Sequence, residues 1–111
     1  PPGFPGLETA LGLLLGAVRD RRLTQNRLVS LMHTNPLRIF RLASQPETYV
    51  EVDLDKSWEV SGTNLHSRCG WSPFEGWQLR GQVVRVTLRA TPAFENGKVL
   101  AKPGSGQDMS Q

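Results

Sequence analysis

The sequence predicts a small α+β protein, helical in its first half and β in its second. Two observations carry this. Leu7, Leu11, Leu14, Leu15 and Val18 recur at helical spacing, and beyond Gln45-Pro46 the chain changes to β-favouring residues interleaved with acids. A third supports the β half: Asn96-Gly97, set between Ala93-Phe94 and Val99-Leu100, is the strongest short hairpin signal in the chain, because a type I′ turn needs positive φ at both central residues. With 111 residues and 38% apolar content the chain is long enough for one small domain, and it is short for a catalytic barrel.

The first helix is expected from Leu7 to Arg19, with Arg19, Arg21 and Arg22 supplying positive charge at the end where the helix dipole favours it. Thr24 is a suitable N-cap for a second helix, whose Leu28, Leu31 and Met32 line one face. Asn35-Pro36 is expected to interrupt that helix and to start a third, short one carrying Leu37, Ile39, Phe40 and Leu42. Tyr49, Val50, Val52 and Leu54 then read as a strand, continued by Trp58 and Val60. Ser61 to Trp71 is polar, lacks periodicity and contains Gly62 and Gly70, the marks of a surface loop. Val84, Val86 and Leu88 place the next strand at 82–89, and Pro103-Gly104-Ser105-Gly106 forms a flexible tail.

Charge excludes more than it suggests. The formal charge is +3, but 13 Lys and Arg against 10 Asp and Glu is close to balance, so no nucleic-acid partner is expected. Cys69 is the single cysteine; it can form no internal disulfide and reads as a buried thiol of an intracellular, cytoplasmic protein. The apolar stretch from Leu11 to Val18 is far below the roughly 20 residues of a membrane span, so no membrane partner is expected. Pro1-Pro2-Gly3-Phe4-Pro5-Gly6 is loop chemistry rather than a targeting signal, and the chain reads as starting inside a larger domain.

The chemistry-bearing residues have plain structural readings. His33 near a helix end and His66 in a loop are too far apart in sequence for a local metal motif, and the helix dipole accounts for His33. Glu51, Asp53 and Asp55 alternate along a strand, as on a solvent face. Trp58, Trp71, Phe74 and Trp77 can form a stacking platform, but in a small β unit they more often fill the core. No catalytic pair is expected among the residues present.

Taken in order, Pro1 to Thr9 (PPGFPGLET), His33 to Phe40 (HTNPLRIF), Thr48 to Leu54 (TYVEVDL), Cys69 to Gly76 (CGWSPFEG) and Gly104 to Asp108 (GSGQD) resemble the end of the dihydroorotase domain in the animal multifunctional proteins of pyrimidine synthesis. The Asn-Pro segment and Ser-Pro-Phe-Glu-Gly are shared more widely among cyclic amidohydrolases, including dihydropyrimidinases; the combination with PPGFPGLET and TYVEVDL is narrower. The resemblance implies the last helix or helices of a TIM-type amidohydrolase barrel over residues 1–44, the C-terminal part of a small β subdomain over 45–102, and a tail over 103–111.

By the same resemblance, the complete domain is a zinc enzyme interconverting carbamoyl-aspartate and dihydroorotate, with histidines, a bridging carboxylated lysine and an aspartate as ligands. None of those positions falls in this chain, so no catalytic residue, no metal ligand and no zinc are expected here, and the chain is not expected to be competent alone. Residue matching places one substrate contact, through backbone, on Pro2 with Gly3 beside it; Gly3 and Gly6 suit a loop that needs close approach and unusual dihedrals. The remainder of the barrel and a homo-oligomer are the implied partners. The sequence departs from the family pattern in having Arg21 or Arg22 where that pattern has Gly, Arg27 where it has an acid, and Arg89-Ala90-Thr91 where it has Arg-Gly-Glu. Loss of the acid removes a capping box, and Pro92 withdraws a ladder hydrogen bond. Such departures also fit a non-catalytic dihydroorotase-like scaffold, and the Pro-Phe-Glu-Gly segment leaves a dihydropyrimidinase-like hydrolase as a third reading.

Overall fold

Elements follow the chain as α1 (Ala10–Arg19), α2 (Gln25–Val29), a π turn (Ser30–Thr34), α3 (Asn35–Ile39), β1 (Tyr49–Glu59), β2 (Gln78–Leu88), β3 (Thr91–Glu95) and β4 (Lys98–Val99). This is a computed structural model, and it describes residues 3–108. The strands form one sheet in the order β1-β2-β3-β4. Two compact units interleave in sequence, one from 1–23 with 53–82 and the other from 24–52 with 83–111. Among the described residues no helix is long and apolar enough to cross a membrane.

In the first unit α1 approaches strand residues closely at two glycines, where large side chains of the facing element pack onto bare backbone. Gly12 is buried, and a Cβ there would lie 3.1 Å from Leu79 and 3.3 Å from Trp58. Gly81, with φ +108, receives Leu15 in the same way, at 3.2 Å. The Trp58 indole N–H donates to the Gly81 carbonyl at 2.9 Å, so the strand glycine keeps its hydrogen bond where its dihedral departs from the sheet. Arg19 does more than complement the dipole: its guanidinium donates to the carbonyls of Arg80 at 3.1 Å and Leu54 at 2.7 Å. Leu11, Leu14, Leu15 and Val18 are only half-buried, and Leu7, expected to open the stripe, is 99% exposed. Leu7 lies in the turn before the helix, whose N-cap is the buried Thr9, so it is not on the helix face at all.

The loop after β1 closes around Val60, which is fully buried. Its N–H donates to the Trp77 carbonyl at 2.9 Å and its carbonyl accepts from Gly76 at 2.8 Å. Gly62 is packed so tightly that a Cβ would come within 2.5 Å of the Gly70 carbonyl oxygen. Its N–H donates to Glu75 at 2.7 Å.

In the second unit Thr24 caps as expected, accepting from the Arg27 N–H at 3.1 Å, so the helix starts there without the capping box. The expected break at Asn35-Pro36 does not occur. Helical dihedrals run through Val29, Ser30, Thr34 and Asn35, and the Asn35 N–H donates to the Ser30 carbonyl five residues back. A proline inside an α-helix lacks a donor and crowds the carbonyl four residues earlier; the wider π turn absorbs both effects. Leu28 is buried, whereas Leu31 and Met32, expected on the same face, are exposed. The helix ends where Leu42 N–H returns to the Leu37 carbonyl at 2.9 Å around Arg41, at φ +53. The same closure ends α1, with Arg22 N–H on the Ala17 carbonyl at 2.9 Å around Arg21, at φ +62.

β2 and β3 pair antiparallel, Val86 opposite Phe94 and Thr87 opposite Pro92. The register shift leaves Ala93 as a bulge, so the donor that Pro92 lacks falls at an interruption of the ladder. The Ala93 carbonyl accepts from Leu100 at 2.8 Å and Ala101 at 3.1 Å. Asn96 and Gly97 take φ +48 and +87, the predicted hairpin. Arg89 and Ala90 make the same turn between β2 and β3, at +49 and +66, without a glycine.

Candidate functional site

The substrate contact implied by the resemblance falls on Pro2, which lies outside the described residues. Gly3 is exposed and takes φ +109, a conformation that side chains disfavour, while a Cβ there would meet nothing within 4 Å. Its glycine is thus explained by backbone conformation, with open space beside it. Gly6 differs: a Cβ would stand 3.1 Å from the Phe4 ring, so it allows the loop to fold on its own aromatic side chain.

Two attachments hold this loop within the first unit. The Phe4 ring meets Phe74 edge-on at 6.0 Å, and Phe74 meets Trp77 likewise at 5.1 Å. At the other end, Glu8 accepts the Ser67 N–H at 2.7 Å and the His66 N–H at 3.0 Å, with the His66 Nδ1 at 3.3 Å. The carboxylate therefore gathers the turn at 66–67 onto the residue just before the N-cap of α1. An acid there is ordinarily credited to the helix dipole, so nothing in the sequence singled out Glu8.

The other residues considered from sequence do not converge. His33 is exposed in the π turn. Glu51, Asp53 and Asp55 are exposed on β1, as expected of a solvent face; Glu51 lies 3.2 Å from Arg85 and Asp55 lies 3.3 Å from Arg80. Arg85 also meets Glu95 at 2.7 Å, and that hydrogen bond, with the charges of Glu95 and Glu51, holds its guanidinium above its ordinary pKa. Trp58 and Phe74 are half-buried, but Trp71 and Trp77 are exposed, so the aromatic residues do not together fill a core. Cys69, expected to be buried, is exposed; it precedes Gly70, whose backbone, rather than the Cys69 side chain, packs against Gly62. Among the described residues no group of three or more His, Cys, Asp or Glu is placed to hold a metal ion. Two open concavities, of about 240 and 300 Å³, are lined by Ser44 to Thr48 with Arg89, and by residues that include Pro92, Ala93, Leu100 and Lys102. Neither brings a histidine to a carboxylate.

No family model matches the chain. Its fold is that of part of a cyclic amidohydrolase domain of the dihydroorotase and hydantoinase kind. The L-hydantoinase (dihydropyrimidinase) of Arthrobacter aurescens superposes with a TM-score of 0.92 at 31% identity, over 98% of this chain and 26% of that one. The inactive dihydroorotase-like domain of the CAD-like multifunctional protein of Chaetomium thermophilum gives 0.80 at 40% identity, over 95% of this chain and 30% of that one. Within that class the chain matches the dihydroorotase portion of CAD-type multifunctional proteins. It is 55% identical over 109 residues to the multifunctional protein pyr1-3 of Dictyostelium discoideum and 49% identical over 109 residues to the multifunctional protein CAD of Squalus acanthias. The match covers 98% of this chain and 5% of the length of each relative.

Proposed function

We propose that the chain forms the C-terminal part of a dihydroorotase-type domain and supplies the loop at Pro2 and Gly3 to one edge of its substrate site. The observation that carries this is Gly3, at φ +109 with open space beside it, in a loop pinned at Phe4 and Glu8. Backbone groups presented in this way suit a carboxylate or ring amide such as those of dihydroorotate and carbamoyl-aspartate. Residues 1–44 are assigned to the last barrel helices, 45–102 to the small β subdomain and 103–111 to a tail, in a cytoplasmic, oligomeric parent protein. The residues described do not fit the zinc that the resemblance implies: His66 is engaged with Glu8, His33 is exposed, and no ligand cluster exists among them. No chemical step is therefore assigned to this chain. Its part is to shape the site and hold the loop.

A second reading, a dihydroorotase-like domain without activity, is favoured by the 40% identity to a solved domain described as inactive. The experiment compares the intact parent protein with its Gly3→Val variant for dihydroorotate turnover and metal content. A KM raised on the order of tenfold with unchanged metal supports the loop assignment, since a β-branched residue is strained at positive φ and no ligand is touched. Unaltered kinetics removes the loop from the site, and an inactive parent protein establishes the second reading.

A further inference from the structure

Glu8 has no part in the reading above beyond anchoring its own loop, yet its geometry exceeds what a helix N-terminus requires. One carboxylate serves two consecutive backbone N–H groups, Ser67 at 2.7 Å on Oε1 and His66 at 3.0 Å on Oε2, and the His66 ring stands at 3.3 Å from Oε2. The acceptor and its donors lie 58 and 59 residues apart in sequence, so the bonds join two loops rather than closing a local turn. Glu8 is five positions from Gly3, and Phe4, on Phe74, is the other fixed point of that short stretch. Hydrogen bonds to an ionised acceptor are short, directional and stronger than neutral ones, which makes the carboxylate a rigid pivot for the backbone on either side.

We propose that Glu8 is a positioning residue for the substrate site: by holding the turn at His66 and Ser67, it sets the backbone at Gly3 in the orientation that meets the substrate. This rests on the assignment of the Gly3 loop to the site. Glu8 touches no substrate and acts through the loop. Removing the latch lets that loop shift, and small displacements of a positioning group cost far more in substrate handling than in fold.

The test uses the intact parent protein with Glu8→Gln, Ser67→Pro and Gly3→Val. Glu8→Gln keeps the shape but turns one acceptor into a donor facing an N–H, and Ser67→Pro removes the N–H on Oε1 while leaving Glu8 in place. Amide hydrogen exchange at His66 and Ser67 reports the latch in the Glu8→Gln protein, and dihydroorotate kinetics report the site. The expected result is faster exchange at both amides, a KM raised on the order of tenfold, kcat changed less than about twofold, and unchanged metal content. Ser67→Pro is expected to reproduce the KM effect, and the protein carrying both Glu8→Gln and Ser67→Pro to be no worse than either single one. Faster exchange with an unaltered KM, while Gly3→Val raises it, overturns the role of Glu8 and leaves the loop assignment standing. Unaltered KM in Gly3→Val removes the loop from the site and the inference with it. Should Glu8→Gln not accumulate as folded protein, Ser67→Pro alone decides: a normal KM there overturns the proposal.

Discussion

Replacing Ala90 by glycine is expected to make the protein more stable, although glycine is ordinarily the poorer residue. Ala90 sits at φ +66 in the turn between β2 and β3, directly after Arg89 at +49. An L-residue in the left-handed region costs about 1–2 kcal/mol, which glycine does not incur. Against this, glycine loses about 0.5–1 kcal/mol through the greater freedom of its unfolded chain. Ala90 is exposed, so its methyl group contributes little packing, and its N–H donates to the Glu47 carbonyl at 2.9 Å, a bond that glycine retains. The balance is a gain of about 0–1.5 kcal/mol, centred on about 0.75 kcal/mol. Urea denaturation followed by tryptophan fluorescence measures it as a higher midpoint with an unchanged slope. Ala90→Val, with a β-branched side chain in the same turn, should lower the midpoint. A fall in the glycine variant, or a rise in the valine variant, would refute the assignment of this turn to positive φ.

Three further changes test the packing and the turns. Arg21→Gly should stabilise by about 0.5–1 kcal/mol, read as a higher midpoint in the same assay, since Arg21 closes α1 at φ +62 in the position where glycine is favoured. Gly62→Ala should destabilise by about 1–3 kcal/mol, because its Cβ would lie 2.5 Å from the Gly70 carbonyl oxygen and 2.7 Å from the Trp71 Cα, both backbone atoms that cannot rotate away. Trp58→Phe should cost about 1–3 kcal/mol by leaving the buried Gly81 carbonyl without its indole donor; a thermal midpoint equal to wild type would show that water takes the donor's place.

Local signals in the sequence identified α1, the Thr24 cap and the Asn96-Gly97 hairpin, because each rests on residues close in the chain whose own conformational preferences decide the outcome. The positive φ values at Arg21, Arg41, Arg89 and Ala90 were not legible, since none of these residues prefers that conformation and each is imposed by the elements it joins. At Arg21 and Ala90, the departures from the family pattern were the only sign, and the structure shows why glycine belongs there. The π turn that carries the chain through Pro36 also escaped a local reading, which treats proline as a stop and cannot see a wider turn accommodating it. Exposure of Leu31, Met32, Trp71 and Trp77 could not be read either, because periodicity identifies an apolar face without saying what lies against it. The proposed role of Gly3 rests on resemblance alone, since composition and spacing mark it only as a loop glycine. The Glu8 latch was hidden by its sequence separation from His66 and Ser67.

The central claim is that the loop at Pro2 and Gly3 borders the substrate of a dihydroorotase-type domain, and the structure of the parent domain with dihydroorotate bound tests it most directly. The account predicts a backbone group of Pro2 or Gly3 within about 2.7–3.2 Å of a ligand oxygen or nitrogen, with Glu8 still on the His66 and Ser67 amides. Dihydroorotate seated with no atom of either residue in hydrogen-bond reach, directly or through one water, would contradict it.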